Sequence, residues 1–301
     1  MKKHLFLTIM LTMVAGLASA QVTLNYNLDS GTAYTTKVVL EQDISQTFMG
    51  QSQDVESDQG YGIELTFTDF EDGKYSVKMV YKSIMINQPM AGLSYDSETT
   101  TTEPTGAAKA VASVLNKELQ FTLSKRGEVS NITGFEAMLD SMAANMGITG
   151  EAQLSLFKSQ MSSQYNTQTM KDQLKRTLIV FPEKELNKGD LWTEDQSVSA
   201  PFAMNIQTTY EVADYDNETV TLNVSSDIFT EGGELVTNGA TMTPDLSGVQ
   251  SGTIKIDRKT GLILEGGMEQ LISGVLNMTS PQEMEIGTEI SGKTEVTGTV
   301  Q

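Results

Sequence analysis

The chain has 301 residues, with 39 Asp and Glu against 20 Lys and Arg, a formal net charge of −19 at pH 7, no cysteine, and one histidine, His4. The missing Cys rules out disulfides, thiolate nucleophiles and a lipid-modified cysteine, and the lack of His beyond position 4 removes Ser–His–Asp chemistry and nearly all zinc, copper and haem sites. So acidic a chain has no electrostatic reason to seek nucleic acid or anionic membrane surfaces.

Met1-Lys-Lys-His4, the apolar run Leu5 to Leu17 and Ala18-Ser-Ala20 read as a secretory signal peptide over 1–20. The expectation is an exported protein, periplasmic or secreted, that is not a lipoprotein. No other stretch approaches the ~18 apolar residues of a membrane helix, so no transmembrane segment is expected. Residues 21–301 are read as one β-rich domain: a first β half over 21–133, a helical segment over 134–181 and a second β half over 182–301.

Val22 to Leu28 reads as a short strand. After the turn at Leu28-Asp-Ser-Gly31, Tyr34, Thr36, Val38, Leu40, Ile44 and Phe48 share one parity, opposite Lys37, Glu41 and Asp43. That is a strand with one buried and one wet face. Gln51 to Gly60 reads as a polar loop. Tyr61, Ile63, Leu65 and Phe67 resume the alternation, Glu71-Asp-Gly73 is a hairpin signal, and Tyr75, Val77, Met79 and Tyr81 return. A polar loop over Asp96 to Thr105 leads to an Ala-rich helix near 107–115. Leu119, Phe121 and Leu123 form a strand that turns at Arg126-Gly127.

The helical segment follows. Met138, Leu139, Met142 and Met146, then Leu154, Phe157 and Met161, then Met170, Leu174 and Leu178 fall at helical spacing. Thr133-Gly-Phe-Glu136 reads as a capping box and Gly147 as a stop. Phe181-Pro182 ends the segment. In the second half Met204, Ile206, Thr208, Tyr210 and Val212 share a parity, and Val220, Leu222, Val224 and Ile228 return. Glu231 to Gly248 reads as loop or irregular edge. Ile254 and Ile256 precede a turn at Gly261, Leu262 to Leu276 returns, and Met284 to Val300 forms the last strand.

Three landmarks recur in order. Leu28-x-x-Gly31-x-x-Tyr34 matches Leu186-x-x-Gly189-x-x-Trp192. Phe67-Thr-Asp-Phe70 matches Val212-Ala-Asp-Tyr215, and the hairpin turning at Gly127 matches the one turning at Gly261. Strand runs of about 17 residues exceed the usual 3–10, and long one-sided antiparallel strands twist and curl. The expected fold is therefore a β-rich α+β domain. Two related halves form a strongly curved antiparallel sheet, an open barrel or half-barrel, and the helical segment of about 134–180 covers its concave apolar face. The alternative is a two-sheet β-sandwich.

The signal peptide, the Leu-x-x-Gly-x-x-Tyr opening, the turn at Gly127 and the stretch Phe181-Pro182, Gly189-Asp190, Trp192 resemble a family of exported bacterial proteins of unknown function, common in the Bacteroidota. That resemblance brings no catalytic residues with it. The architecture is also similar to the open-barrel lipoprotein carriers of the bacterial envelope, by analogy of fold alone.

Little catalytic chemistry remains. Asp214-Tyr-Asp216-Asn217-Glu218 fails as a calcium loop, because its sixth position lacks Gly and its twelfth, Ser225, lacks a carboxylate. It reads as a solvated turn. No catalytic residue, metal or cofactor is expected. The methionine stripe is read as core or as an adaptable lining for an apolar ligand, with Met138, Met142, Met146, Phe157 and Met161 as the candidate residues. The preferred expectation is a non-catalytic binding module for a lipid or other apolar molecule. The alternatives are a structural protein that meets another envelope protein and holds no small ligand, and, last, a carboxylate-based hydrolase.

Overall fold

The computed structural model describes residues 21–89, 92–161, 167–175, 177–198, 203–237 and 240–301. The segment read as a signal peptide lies outside them. The first half contains β1 (Ala33–Phe48), β2 (Gln51–Glu71), β3 (Lys74–Gln88), β4 (Leu93–Asp96), α1 (Gly106–Ala112), β5 (Glu118–Ser124) and β6 (Val129–Thr133). The middle folds as α2 (Phe135–Asn145), α3 (Glu151–Met161) and α4 (Thr167–Lys175). The second half contains β7 (Leu191–Val198), β8 (Met204–Tyr215), β9 (Thr219–Thr230), β10 (Leu235–Thr237), β11 (Ala240–Asp257), β12 (Ile263–Ser280) and β13 (Met284–Val300).

The thirteen strands form one antiparallel sheet in the order β6-β5-β3-β2-β1-β13-β12-β11-β9-β8-β7, with β4 on β3 and β10 on β11. It is a single curved layer, not a sandwich, and it does not close. Its edges are β6 and β7, the two strands that flank the helices in sequence, and α4 packs against both. A helix therefore spans the gap between the edges. The inward parity of β1, β2 and β3 (Tyr34, Val38, Ile63, Leu65, Phe67, Val77, Met79) joins Met138, Leu139, Met142, Leu174 and the second half's Val212, Leu222 and Ile256 in one buried cluster.

The halves share more than sequence landmarks. The Gly31 N–H donates to the Phe67 carbonyl (2.7 Å) and the Phe67 N–H to Thr32 (3.0 Å); the Gly189 N–H donates to Val212 (2.8 Å) and the Val212 N–H to Asp190 (3.0 Å). A register shift follows both Phe67 and Val212. Each half's glycine turn is clasped by the lead-in to the other half. The Phe181 N–H donates to Arg126 (2.8 Å) and the Asn27 N–H to Thr260 (3.2 Å). Gly127 and Gly261 have φ of 104° and 79°. A Cβ on them would lie 2.1 Å from the Ile179 carbonyl and 2.5 Å from the Asn25 carbonyl. Only glycine fits either turn.

Several local expectations are corrected. Val22 to Leu28 is not a strand. It crosses the end of the sheet where these turns lie, the near end, and among the described residues its one β-bridge is Val22–Leu186. Its alternation arises because Val22, Leu24, Tyr26 and Leu28 all face the core. Gln51 to Gly60 is strand, in register with β1 out to Phe48–Gln51. Backbone pairing continues there beyond the helix-covered core, so the sequence stays polar. Ala240 to Gly248 likewise belongs to β11. The capping box does not form: Gly134 takes the N-cap in a left-handed conformation, with no side-chain cap. The stop holds, with Gly147 at positive φ just after α2.

Candidate functional site

Met138 and Met142 lie in the core, each 2% exposed, and Phe157 is 9% exposed. Met161 packs half-buried against the same cluster, while Met146, at the C-cap of α2, is 47% exposed. The structure thus gathers the first four around one apolar cluster and leaves Met146 outside it. That cluster is filled with side chains. Beside it, Trp192 stacks on Tyr210 at 5.1 Å and donates its indole N–H to Val180 (3.0 Å), so it anchors the segment after α4 to β7. Burial raises the Tyr210 and Tyr26 hydroxyls well above the usual tyrosine range and pushes Tyr34 up to about 12. Asp216 is a turn residue: its Oδ1 accepts the Thr219 (2.7 Å) and Glu218 (2.8 Å) N–H groups, which lower its pKa.

Away from the near end the inner face changes character, and strand register shows how. One row runs Trp192, Tyr210, Val224, Gly252, Met268, Thr294 and Leu40, each opposite the next. Two residues further along every strand lies a polar row: Glu194, Thr208, Ser226, Gln250, Gln270, Gly292, Gln42 and Ser57. Two further still lie Ile206, Ile228, Gly248, Ile272, Ile290, Ile44 and Val55. Rows two residues apart are separated by about 7 Å.

In the polar row Thr208 and Ser226 are buried and share a hydroxyl hydrogen bond of 2.9 Å. Gln42, Gln250 and Gln270 are half-buried, and their side chains make no hydrogen bond among the described residues. Burial raises the Glu194 carboxyl, partly offset by Lys175 and Arg126. In the isoleucine row Ile228 and Ile272 are buried with Leu246, and Met204, Ile206, Leu276 and Ile290 pack against them. This second cluster is separate from the helix-covered core.

Two hollows, of about 420 and 590 Å³, lie at this far part of the sheet, and most of their lining stands on the parity opposite the polar and isoleucine rows, that is, on the outer face. The first is lined by Gln42, Gln270 and Gly292 together with Glu41, Asp43, Glu56, Asp58, Glu269, Ser291 and Lys293. The second is lined by Ile44, Val55, Gln53 and Pro89 with Asp43, Ser45, Asp54, Glu56, Glu289 and Ser291. Neither touches the methionine stripe. Among the described residues no group of three or more Asp, Glu, His or Cys could hold a metal ion, and no helix is long and apolar enough to cross a membrane.

Reading the residues one by one missed this surface, because it is a property of register. Its signal was a gap in each alternation, at Gln42, Ser226 and Gln270, where a polar residue takes an inward step.

Among solved structures, one of lipid–protein interactions in lipovitellin is 11% identical, matching 91% of this chain with a TM-score of 0.44. This chain spans only 26% of that one. Salmonella typhi OmpF is 7% identical over 92% of this chain and 100% of its own, at 0.24. A DUF1329 family protein from Desulfovibrio piger is 8% identical over 87% and 84%, at 0.13. At these scores the likeness identifies no shared site. No curated protein matches the sequence. Residues 72–263, more than half of the chain, match the Family of unknown function (DUF6263), and the chain belongs to that family.

Proposed function

We propose that this is an exported, non-catalytic binding protein that holds the apolar part of a lipid-like molecule on the far part of the inner sheet face. The observation that carries the reading is the in-register row of Ile206, Ile228, Ile272, Ile290, Ile44 and Val55 beyond the helix-covered core. Ile228 and Ile272 are buried by their neighbours, but Ile44, Val55, Ile206 and Ile290 stay only half-buried at the open end of the sheet, which is costly unless something covers them. We therefore place the site on this half-buried face and not at the buried methionine stripe.

The filled core under the helices favours the second reading, a structural envelope protein with no small ligand. Mass spectrometry of an organic extract of protein purified from the periplasm separates the two. The binding reading expects a lipid or other apolar molecule in near-stoichiometric amount. An extract with none, together with no enhancement of Nile red fluorescence by the purified protein, would leave the structural reading.

A further inference from the structure

Resting on the binding reading, we propose that the ligand is an uncharged amphiphile, its polar head hydrogen-bonded by Gln42, Gln250 and Gln270 and its alkyl chain laid along β12 and β13 toward the far end. Three observations converge on this. The glutamines occupy one row, opposite Ser226, Gly292 and Ser57; Gln250 and Gln270 are on adjacent strands, and Gln42 lies two strands beyond Gln270, with Gly292 between them. Each carboxamide offers both donors and an acceptor, none of them used by another side chain among the described residues. Such groups recognise hydroxyls and ester carbonyls.

The apolar path starts immediately beyond. On β12 it is Ile272, Leu276 and Met278, and on β13 Ile290, Ile286 and Met284, with Met278 opposite Met284. From Gln270 to Met278 the path is about 27 Å at ~3.4 Å per residue, room for a long alkyl chain.

Charge selects the head. Gln42, Gln250 and Gln270 carry none, and the row's one carboxylate, Glu194, sits at its far edge on β7. The hollow that reaches Gln42 and Gln270 is lined mainly by Glu41, Asp43, Glu56, Asp58 and Glu269, which alternate with the glutamine row along their strands and so put their charge on the other face of the sheet. Its one amine, Lys293, is already paired with Glu295 at 2.5 Å. An anionic head would find no cation in the glutamine row and would be repelled by these acids through the sheet. A cationic head would be drawn to them, but they are mostly solvent-exposed and screened by salt, whereas the glutamine row is half-buried.

The test measures binding to the purified full chain of 1-monooleoylglycerol, oleate and dodecyltrimethylammonium, each by displacement of Nile red, with Nile red affinity measured directly. Monooleoylglycerol is expected to bind most tightly of the three. Gln42→Leu, Gln250→Leu and Gln270→Leu combined should weaken it at least about tenfold, since several hydrogen bonds go together, and leave Nile red within about twofold. Gln270→Leu alone should weaken it about threefold and serves if the triple variant does not fold. Unchanged monooleoylglycerol affinity in the folded variant overturns the proposal, as does tighter binding of oleate or of the cationic amphiphile by the wild type. If the wild type binds neither Nile red nor any amphiphile, the binding reading itself fails.

Discussion

The near and far ends of this sheet are built from the same strands and solve different problems. At the near end the N-terminal segment, the Gly127 and Gly261 turns and the helices close over Tyr34, Leu65, Phe67, Met142 and Leu222, all nearly inaccessible. At the far end the same strands run on without a helix above them, and their inward residues become first polar, then apolar, and mostly only half-buried. The near end therefore carries the stability and the far end carries the exposed, chemically patterned surface. Where a whole polypeptide must fold around one core, a surface held outside it is free to be patterned for something else.

The contrast can be broken most severely at the near end. Met142→Asp buries a carboxylate among apolar side chains and should cost more than about 4 kcal/mol, enough to unfold the chain in a denaturant titration. If its midpoint is unchanged, α2 does not cover the sheet. Truncations sharpen the comparison. Met142→Ala should cost ~2–5 kcal/mol, because it leaves a void in a filled core, whereas Ile44→Ala in the half-buried far row should cost about 1 kcal/mol. Equal costs would mean that the far end is core as well.

The glycine turns make the same comparison in the backbone. Gly127→Ala places a methyl against the Ile179 carbonyl and should cost upwards of about 2 kcal/mol. Gly50, in the far-end turn between β1 and β2, also has positive φ (77°), but nothing lies within 4 Å of where its Cβ would stand. Gly50→Ala should then cost only the conformational strain, about 1 kcal/mol.

The smallest effect is electrostatic. Burial raises the Glu194 pKa, so the folded state binds the proton more tightly than the unfolded state does. Stability from this group is therefore highest when it is protonated, and falls as pH rises through and above the usual glutamate range. Glu194→Gln should raise the Tm slightly at about pH 8 and not at about pH 4. An effect of opposite sign would mean that Lys175 and Arg126 dominate.

Much of this fold is legible in the sequence. The alternation of Tyr34, Val38, Ile63, Leu65, Val77 and Met79 marks the inner face because period-two burial is a local signal. The matched landmarks at Gly31 and Gly189, and at Gly127 and Gly261, point to the paired halves because tight turns demand particular residues. The rest depends on distance in the chain. Gln51 to Gly60 looks like loop because its strand character comes from pairing with β1 where neither face meets the core. Val22 to Leu28 looks like a strand because a segment pressed on a core alternates whether or not a neighbour runs beside it. The polar row is assembled from strands as distant in sequence as Gln42 and Gln270, and only register places them side by side. The methionine stripe was legible as an apolar helix face, but its filling by neighbouring side chains was not.

The most direct test of the division between the two ends is methyl NMR of the chain labelled at Ile δ1 and Met ε, titrated with 1-monooleoylglycerol. The account predicts that Ile44, Ile272 and Ile290 shift with added ligand while Met138 and Met142 stay fixed. Shifts confined to Met138 and Met142, with the isoleucines unmoved, would place the ligand behind the helices and contradict it.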